Sequence, residues 1–206
     1  MDMKQIYQDD SSYPFAPKKY LADDAPKDLS AIGDIILKTY DLMCQLRDAG
    51  VTVIGGFHSP MERECLNILL RGKQPIVICP ARNIEKMKIK GELRKPLEDA
   101  RVLILSPFSE MESRITTERA DRRNRFIAAM ADAVFVAHAE PGGKTEQLCR
   151  EIFAWDKPLY TIDSNSNKNL LSMAVAPVTA GNMLEWMMVD KTTYRTSKIK
   201  KYWRQL

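Results

Sequence analysis

Five short apolar runs alternate with helical segments along this chain, and that alternation limits the fold more than any other feature. The runs lie at 51–54, 75–79, 101–105, 133–137 and 158–162. Continuous apolar runs of four or five residues belong to strands covered on both faces, as in a parallel sheet. The segments between them supply the crossovers. Ile32, Ile35, Ile36, Leu42, Met43 and Leu46 form a helical stripe over 29–46, and Gly50 stops it. Ser59-Pro60-Met61-Glu62 reads as a capping box with proline at the first helical position, opening a helix to about residue 71. A Lys/Glu-rich helical region follows to about residue 98, broken near Gly91 and Pro96. Further helices are expected at 116–131, 145–155, 170–176 and 180–189. Right-handed crossovers then give an α/β fold: a Rossmann-like, doubly wound, mostly parallel sheet with helices on both faces.

The chain has 206 residues, enough for one sizeable core. Residues 1–27 lack periodicity and read as an irregular arm. Residues 28–189 carry the Rossmann-like pattern, and 190–206 form a basic-aromatic tail. In that tail Lys191, Arg195, Lys198, Lys200, Lys201 and Arg204 interleave with Tyr194, Tyr202 and Trp203. The pattern suits either stacked bases and phosphates or a terminal helix with a solvated basic face. The net charge of +4 permits an anionic partner without requiring one. No apolar run reaches membrane-spanning length and the N-terminus is polar, so a cytoplasmic location is expected. Cys44, Cys65, Cys79 and Cys149 form no close pair and read as buried reduced thiols. With only His58 and His138 available, no metal centre is expected, and no cofactor is predicted.

Ligands of such folds gather beyond the carboxyl ends of the strands. Three loops there hold the candidate residues. Gly55 and Gly56 permit close backbone approach, and Ser59 opens a helix whose N–H groups can meet an anion. Ser106-Pro107-Phe108-Ser109 leads into a helix bearing Arg119, Arg122, Arg123 and Arg125. These arginines are either a solvated face paired with Glu118 and Asp121, or a phosphate clamp. Third, Gly142 and Gly143 relax a turn, Lys144 adds charge, and Thr145 can cap the next helix. His58 could donate to a phosphate but reads first as a surface histidine, and His138 is open to either reading. No Walker sequence is present, because the Gly-Gly-Lys-Thr turn lacks the upstream glycine; no nucleophile elbow occurs, and no catalytic residue is assigned.

The motifs resemble the DNA-processing protein A (DprA/Smf) family, within the SLOG group of Rossmann-like domains. The family's Ser-Gly-x-Ala-x-Gly-Ile-Asp is matched in place by Gly55-Gly56-Phe57-His58-Ser59-Pro60-Met61-Glu62. Its Arg-Asn-Arg-Ile-Ile-Ala-Gly-Leu-Ser is similar to Arg123-Asn124-Arg125-Phe126-Ile127-Ala128-Ala129-Met130-Ala131. The segment from Ala25 to Asp34 resembles the family's entry segment, which would put a short strand within 27–33. The family's strand carrying Gly-Ser-Arg has no counterpart between Asp34 and Thr39. The resemblance implies binding of single-stranded DNA in a basic pocket without turnover, self-association, and a recombinase partner. Pro141-Gly142-Gly143-Lys144-Thr145 also resembles the start of the LOG-type nucleotide phosphoribohydrolase motif, but position 149 is Cys where that motif has Glu. The leading expectation is therefore a non-catalytic binder of single-stranded DNA. The alternatives are a LOG-type nucleotide phosphoribohydrolase and a nucleotide-sensing module.

Overall fold

The computed structural model describes residues 29–178, Lys86 excepted; the arm before them and the basic tail lie outside the described residues. The elements run α1 (Leu29–Asp48), β1 (Val53–Gly55), α2 (Pro60–Leu70), β2 (Ile76–Ile78), α3 (Gly91–Glu98) and β3 (Val102–Ile104). They continue as α4 (Thr117–Met130), β4 (Val134–Val136), α5 (Lys144–Ala154), β5 (Leu159–Ile162), a 3-10 turn (Asn165–Asn167), α6 (Lys168–Ser172) and β6 (Ala176–Val178). The strands form two parallel ladders, β1-β2-β3 and β4-β5-β6. Register in the first aligns Val53, Ile76 and Val102; in the second it aligns Tyr160 with Ala176 and Thr161 with Pro177.

One apolar cluster joins both ladders. It holds Leu42 and Leu46 of α1, Leu69 of α2, Ile76, Leu93 of α3, Val102, Tyr160, Ile162 and Val178. Burying a Leu or Ile side chain is worth about 1.5–3 kcal/mol, so this cluster is the principal source of stability. A second cluster joins Ala128 of α4, Cys149 and Ile152 of α5, Leu159 and Leu170. All of β5 is buried: Tyr160 and Ile162 face the first cluster and Leu159 the second. Period-two alternation thus covers β5 on both sides, and the Rossmann-like α/β fold is the observed one.

Three local expectations are corrected. The segment 170–176 is not one helix. α6 ends at Ser172, Ala174 adopts a left-handed φ of 61°, and a sixth strand follows. Pro177 has no N–H to donate, and β6 lies at the edge of its ladder, where proline is tolerated. Gly91 begins α3 rather than breaking a helix, and Pro96 lies inside it, while the described residues between 79 and 90 form no helix. Of the short strand expected within 27–33, the described residues 29–33 are helical instead, because α1 runs from Leu29 and is continuous through 34–39. The helix expected at 180–189 lies outside the described residues.

Lys157 is a cation with a structural task. Its Nζ donates to the carbonyls of Ala128, Ala129 and Ala131 at 2.6, 2.8 and 2.6 Å, closing the C-terminus of α4. Burial pushes its pKa below the ordinary lysine value.

Candidate nucleic-acid interface

The β1–α2 loop is closed by its own side chains. Ser59 Oγ accepts from Glu62 N at 3.2 Å, and Glu62 Oε2 accepts from the backbones of His58 (3.0 Å) and Ser59 (2.8 Å). The capping box read from the sequence forms, and a carboxylate occupies the N–H groups at this helix start. Gly56 has a steric reason. A Cβ there would lie 2.0 Å from a terminal nitrogen of Arg123.

Arg123 reaches from α4 to the carboxyl ends of β1 and β2. It is only 5% exposed. Its Nε donates to Asn124 Oδ1 at 2.8 Å and its Nη1 to the Cys79 carbonyl at 3.1 Å. No carboxylate among the described residues forms an ion pair with it. Burial pulls its pKa below the ordinary arginine value; the field of Glu62 opposes that shift. Burial also pushes the Cys79 thiol up to about 11, so the sulfur beside it is neutral.

The other predicted cations are mostly paired. Arg122 contacts Glu112 at 3.1 Å and lies over the Phe108 ring, 5.2 Å from its centroid. Arg119 approaches the same carboxylate oxygen at 3.7 Å. Arg125 forms a two-pronged pair with Glu151 of α5, at 2.6 and 2.7 Å. Lys144, at the start of α5, contacts Asp121 of α4 at 2.9 Å. The Gly-Gly-Lys turn and the arginine helix therefore meet, through Lys144 and Asp121. Four cations share three carboxylates here, Arg119, Arg122, Arg125 and Lys144 against Glu112, Asp121 and Glu151, and Arg123 pairs with none of them. The surplus is positive.

Two arginines that sequence reasoning passed over enlarge that surplus. Arg82 lies just past β2 and Arg114 in the β3–α4 loop, and neither has an ion pair among the described residues. Their loops are fastened together: Ser106 Oγ donates to the Arg82 carbonyl at 2.8 Å, and Asn83 N to the Glu112 carbonyl at 2.9 Å. Glu112 Oε2 also accepts from Ser109 N and Oγ, at 3.0 and 3.1 Å. The Ser-x-x-Glu spacing from Ser109 to Glu112 was a legible signal for that turn.

At the β4–α5 turn Gly142 takes a left-handed φ of 74°, which glycine adopts without strain. Gly143 is the N-cap of α5, and a Cβ on it would lie 2.9 Å from the Glu140 carbonyl oxygen. Thr145 does not cap. The turn closes two residues earlier, and Thr145 is exposed within the helix. Glu146 holds the turn instead. Its carboxylate accepts from Gly142 N (3.0 Å), Asn169 Nδ2 (2.8 Å) and Arg150 Nη2 (2.6 Å). Asn169 and Arg150, with the Gly142 backbone, hold its pKa near 2. A carboxyl group kept ionised this strongly is a poor proton donor at neutral pH.

That shift sets an acid dependence. The folded pKa is below the ordinary 4.5, so the stabilisation is complete above about pH 4.5 and is lost as pH falls toward 2. Glu146→Gln is expected to melt lower than the parent at neutral pH and to lose less on acidification. Thermal melts between pH 7 and pH 2.5 check this; parallel curves for the two proteins would refute it.

Beside this turn lies a second polar network. Asn167 is fully buried, and its Nδ2 donates to the Ala137 carbonyl (2.8 Å), Thr161 Oγ1 (2.9 Å) and the Ile162 carbonyl (3.1 Å). Its Oδ1 lies 2.9 Å from His138 Nδ1. Asn169 Nδ2 also donates to the Ala139 carbonyl at 3.0 Å. The network fixes the carboxyl ends of β4 and β5.

Among the described residues no helix is long and apolar enough to cross a membrane. No curated protein is significantly similar to the chain. Among solved structures, DNA processing protein A from Helicobacter pylori, described with its single-stranded DNA binding mode, is similar with a TM-score of 0.61 and 18% identity. The match covers 76% of this chain and 75% of that one. DNA processing protein A from Streptococcus pneumoniae gives a TM-score of 0.59 at 13% identity, covering 88% and 73% of the two chains. Both likenesses bear on the fold. Residues 27–186 match the DNA recombination-mediator protein A family, and with most of its length covered the chain belongs to that family of DNA-processing proteins.

Proposed function

We propose that this protein binds single-stranded DNA without chemical turnover, its backbone phosphates lying along the carboxyl ends of the strands. Arg123 carries the reading. An almost buried guanidinium without a carboxylate partner is costly, and a phosphate would offset that cost. Arg82, Arg114, Arg119, Arg122 and Lys144 supply the surrounding field, and Gly56 lets Arg123 lie against the backbone. The single-stranded DNA described for the Helicobacter pylori relative fits the same chemistry. Self-association and a recombinase partner, which the family resemblance implies, belong to this reading.

About four phosphate contacts give a log–log salt slope near −3 for a single strand. Arg82→Ala with Arg114→Ala is expected to bring that slope to about −1.5, each lost contact removing about 0.7. Fluorescence anisotropy with a labelled oligonucleotide measures it. Salt-independent affinity overturns the proposal. Tighter binding of a mononucleotide than of an oligomer would indicate a nucleotide-sensing module instead, and release of free base from a nucleoside monophosphate would indicate a hydrolase.

A further inference from the structure

Helix α1 carries more apolar surface than the core uses. Ile35, Leu42, Met43 and Leu46 are buried in the main cluster and define one face. Ile36 and Leu37 belong to neither cluster, and Leu37 is 58% exposed. A Cβ at Gly33, one turn earlier on the same side, would meet nothing within 4 Å. Tyr40 continues this strip by another turn. Beside it α2 begins, and the two helices enclose an open groove of about 530 Å³. Ile36, Tyr40, Pro60 and Met61 make the groove apolar, and Arg63 and Glu64 add one charge of each sign. Both charged residues are exposed. Arg63 has no ion pair among the described residues, and Glu64 accepts from Asn67 Nδ2 at 3.4 Å.

We infer that the chain's own segment before α1 docks in this groove, anchored by Tyr13-Pro14-Phe15. That segment joins α1 at Leu29, and Ile36 and Tyr40 lie 7 and 11 residues further on. At the helical rise this is roughly 10–17 Å. Phe15 precedes Leu29 by 14 residues, which when extended reach up to roughly 46–50 Å. The segment is therefore long enough to turn back along α1. Tethered so near, it acts at an effective concentration on the order of millimolar, ahead of any free competitor. Its charges also fit. Asp9 and Asp10 precede the aromatic pair and Lys18 and Lys19 follow it, so Arg63 and Glu64 each meet an opposite charge. Pro14 and Pro17 restrict the backbone, which lowers the entropy lost on docking. This inference is independent of the DNA-binding proposal.

Trypsin acting on the native full-length chain reads docking at the Lys18-Lys19 and Lys19-Tyr20 bonds, because cleavage tracks the undocked population. Mass spectrometry follows those two sites. Tyr13→Ser together with Phe15→Ser is expected to raise their cleavage rate about tenfold over the parent. Ile36→Asp, which leaves both apolar clusters intact, is expected to raise it equally. Equal rates in the parent and the Tyr13/Phe15 variant overturn the inference. So does an acceleration that Ile36→Asp fails to reproduce, since the segment then docks elsewhere. Diluting the parent about tenfold at fixed trypsin is expected to leave its rate unchanged, as an intrachain contact requires. Faster cleavage on dilution would show that the segment of a second copy fills the groove, and would overturn the intrachain assignment.

Discussion

Arg123→Met is expected to melt within a few degrees of the parent while binding oligonucleotide at least about tenfold more weakly. The two halves of this result have different causes. Methionine fills much of the arginine volume and is apolar, so the substitution removes a charge from an almost buried place. Exchanging a buried ionic group for an apolar one of similar size is often neutral or stabilising, by about 1–4 kcal/mol. Against this, the Cys79 carbonyl loses the donor at 3.1 Å, a loss of about 1–3 kcal/mol. The opposed effects are of similar size, so stability changes little. Binding has no such offset, because a charge-assisted contact to phosphate disappears where solvent screening is weak. Thermal melts and anisotropy on one preparation test both halves. A well-folded variant that binds like the parent would make Arg123 a structural bolt joining α4 to β1 and β2, and would remove the main support for a phosphate site. Gly56→Ala approaches the same point from the other side. Its Cβ would displace the guanidinium, so reduced binding is expected from a residue that itself makes no ionic contact.

The fold was legible because strand periodicity and capping chemistry are local. Ser59, Pro60 and Glu62 act within one helical turn, and the structure forms the capping box they encode. The apolar runs marked five strands because their residues are apolar throughout, whether buried on both faces as in β5 or only partly as in β1 and β4. The sixth escaped because Ala176-Pro177-Val178 is short, carries a proline and continues the apolar pattern of the preceding helix. Chain reversal there depends on the φ of Ala174, which its residue type does not announce.

The candidate site was legible in composition but not in pairing. Sequence gathers Arg119, Arg122, Arg123 and Arg125 on one helix. It does not tell that Arg125 faces Glu151, Arg122 faces Glu112, and Arg123 turns inward toward a carbonyl 44 positions away. Those partners come from other elements and depend on the tertiary fold. Glu146 was within reach, since it is the third residue of a helix capped by Gly143, where a carboxylate can reach back to the turn. Asn167 carried no signal. An asparagine in a polar loop looks the same in sequence whether it is solvated or ties two strands together.

Asn167 is also where the largest loss of stability is expected. Asn167→Ala removes the donor of the Ala137 and Ile162 carbonyls and of Thr161 Oγ1, and frees His138. Each buried acceptor left without a partner costs about 1–3 kcal/mol, and the emptied volume adds to that. A total of at least about 3 kcal/mol lowers the melting temperature of a chain this size by at least about 6–12 °C. Asn167→Asp separates hydrogen bonding from packing. It keeps the shape but supplies at most one donor, from a protonated carboxyl, where the amide serves two carbonyls and Thr161 Oγ1, so a loss of stability is again expected. If the aspartate variant melts like the parent, the amide donors are not what holds these strand ends.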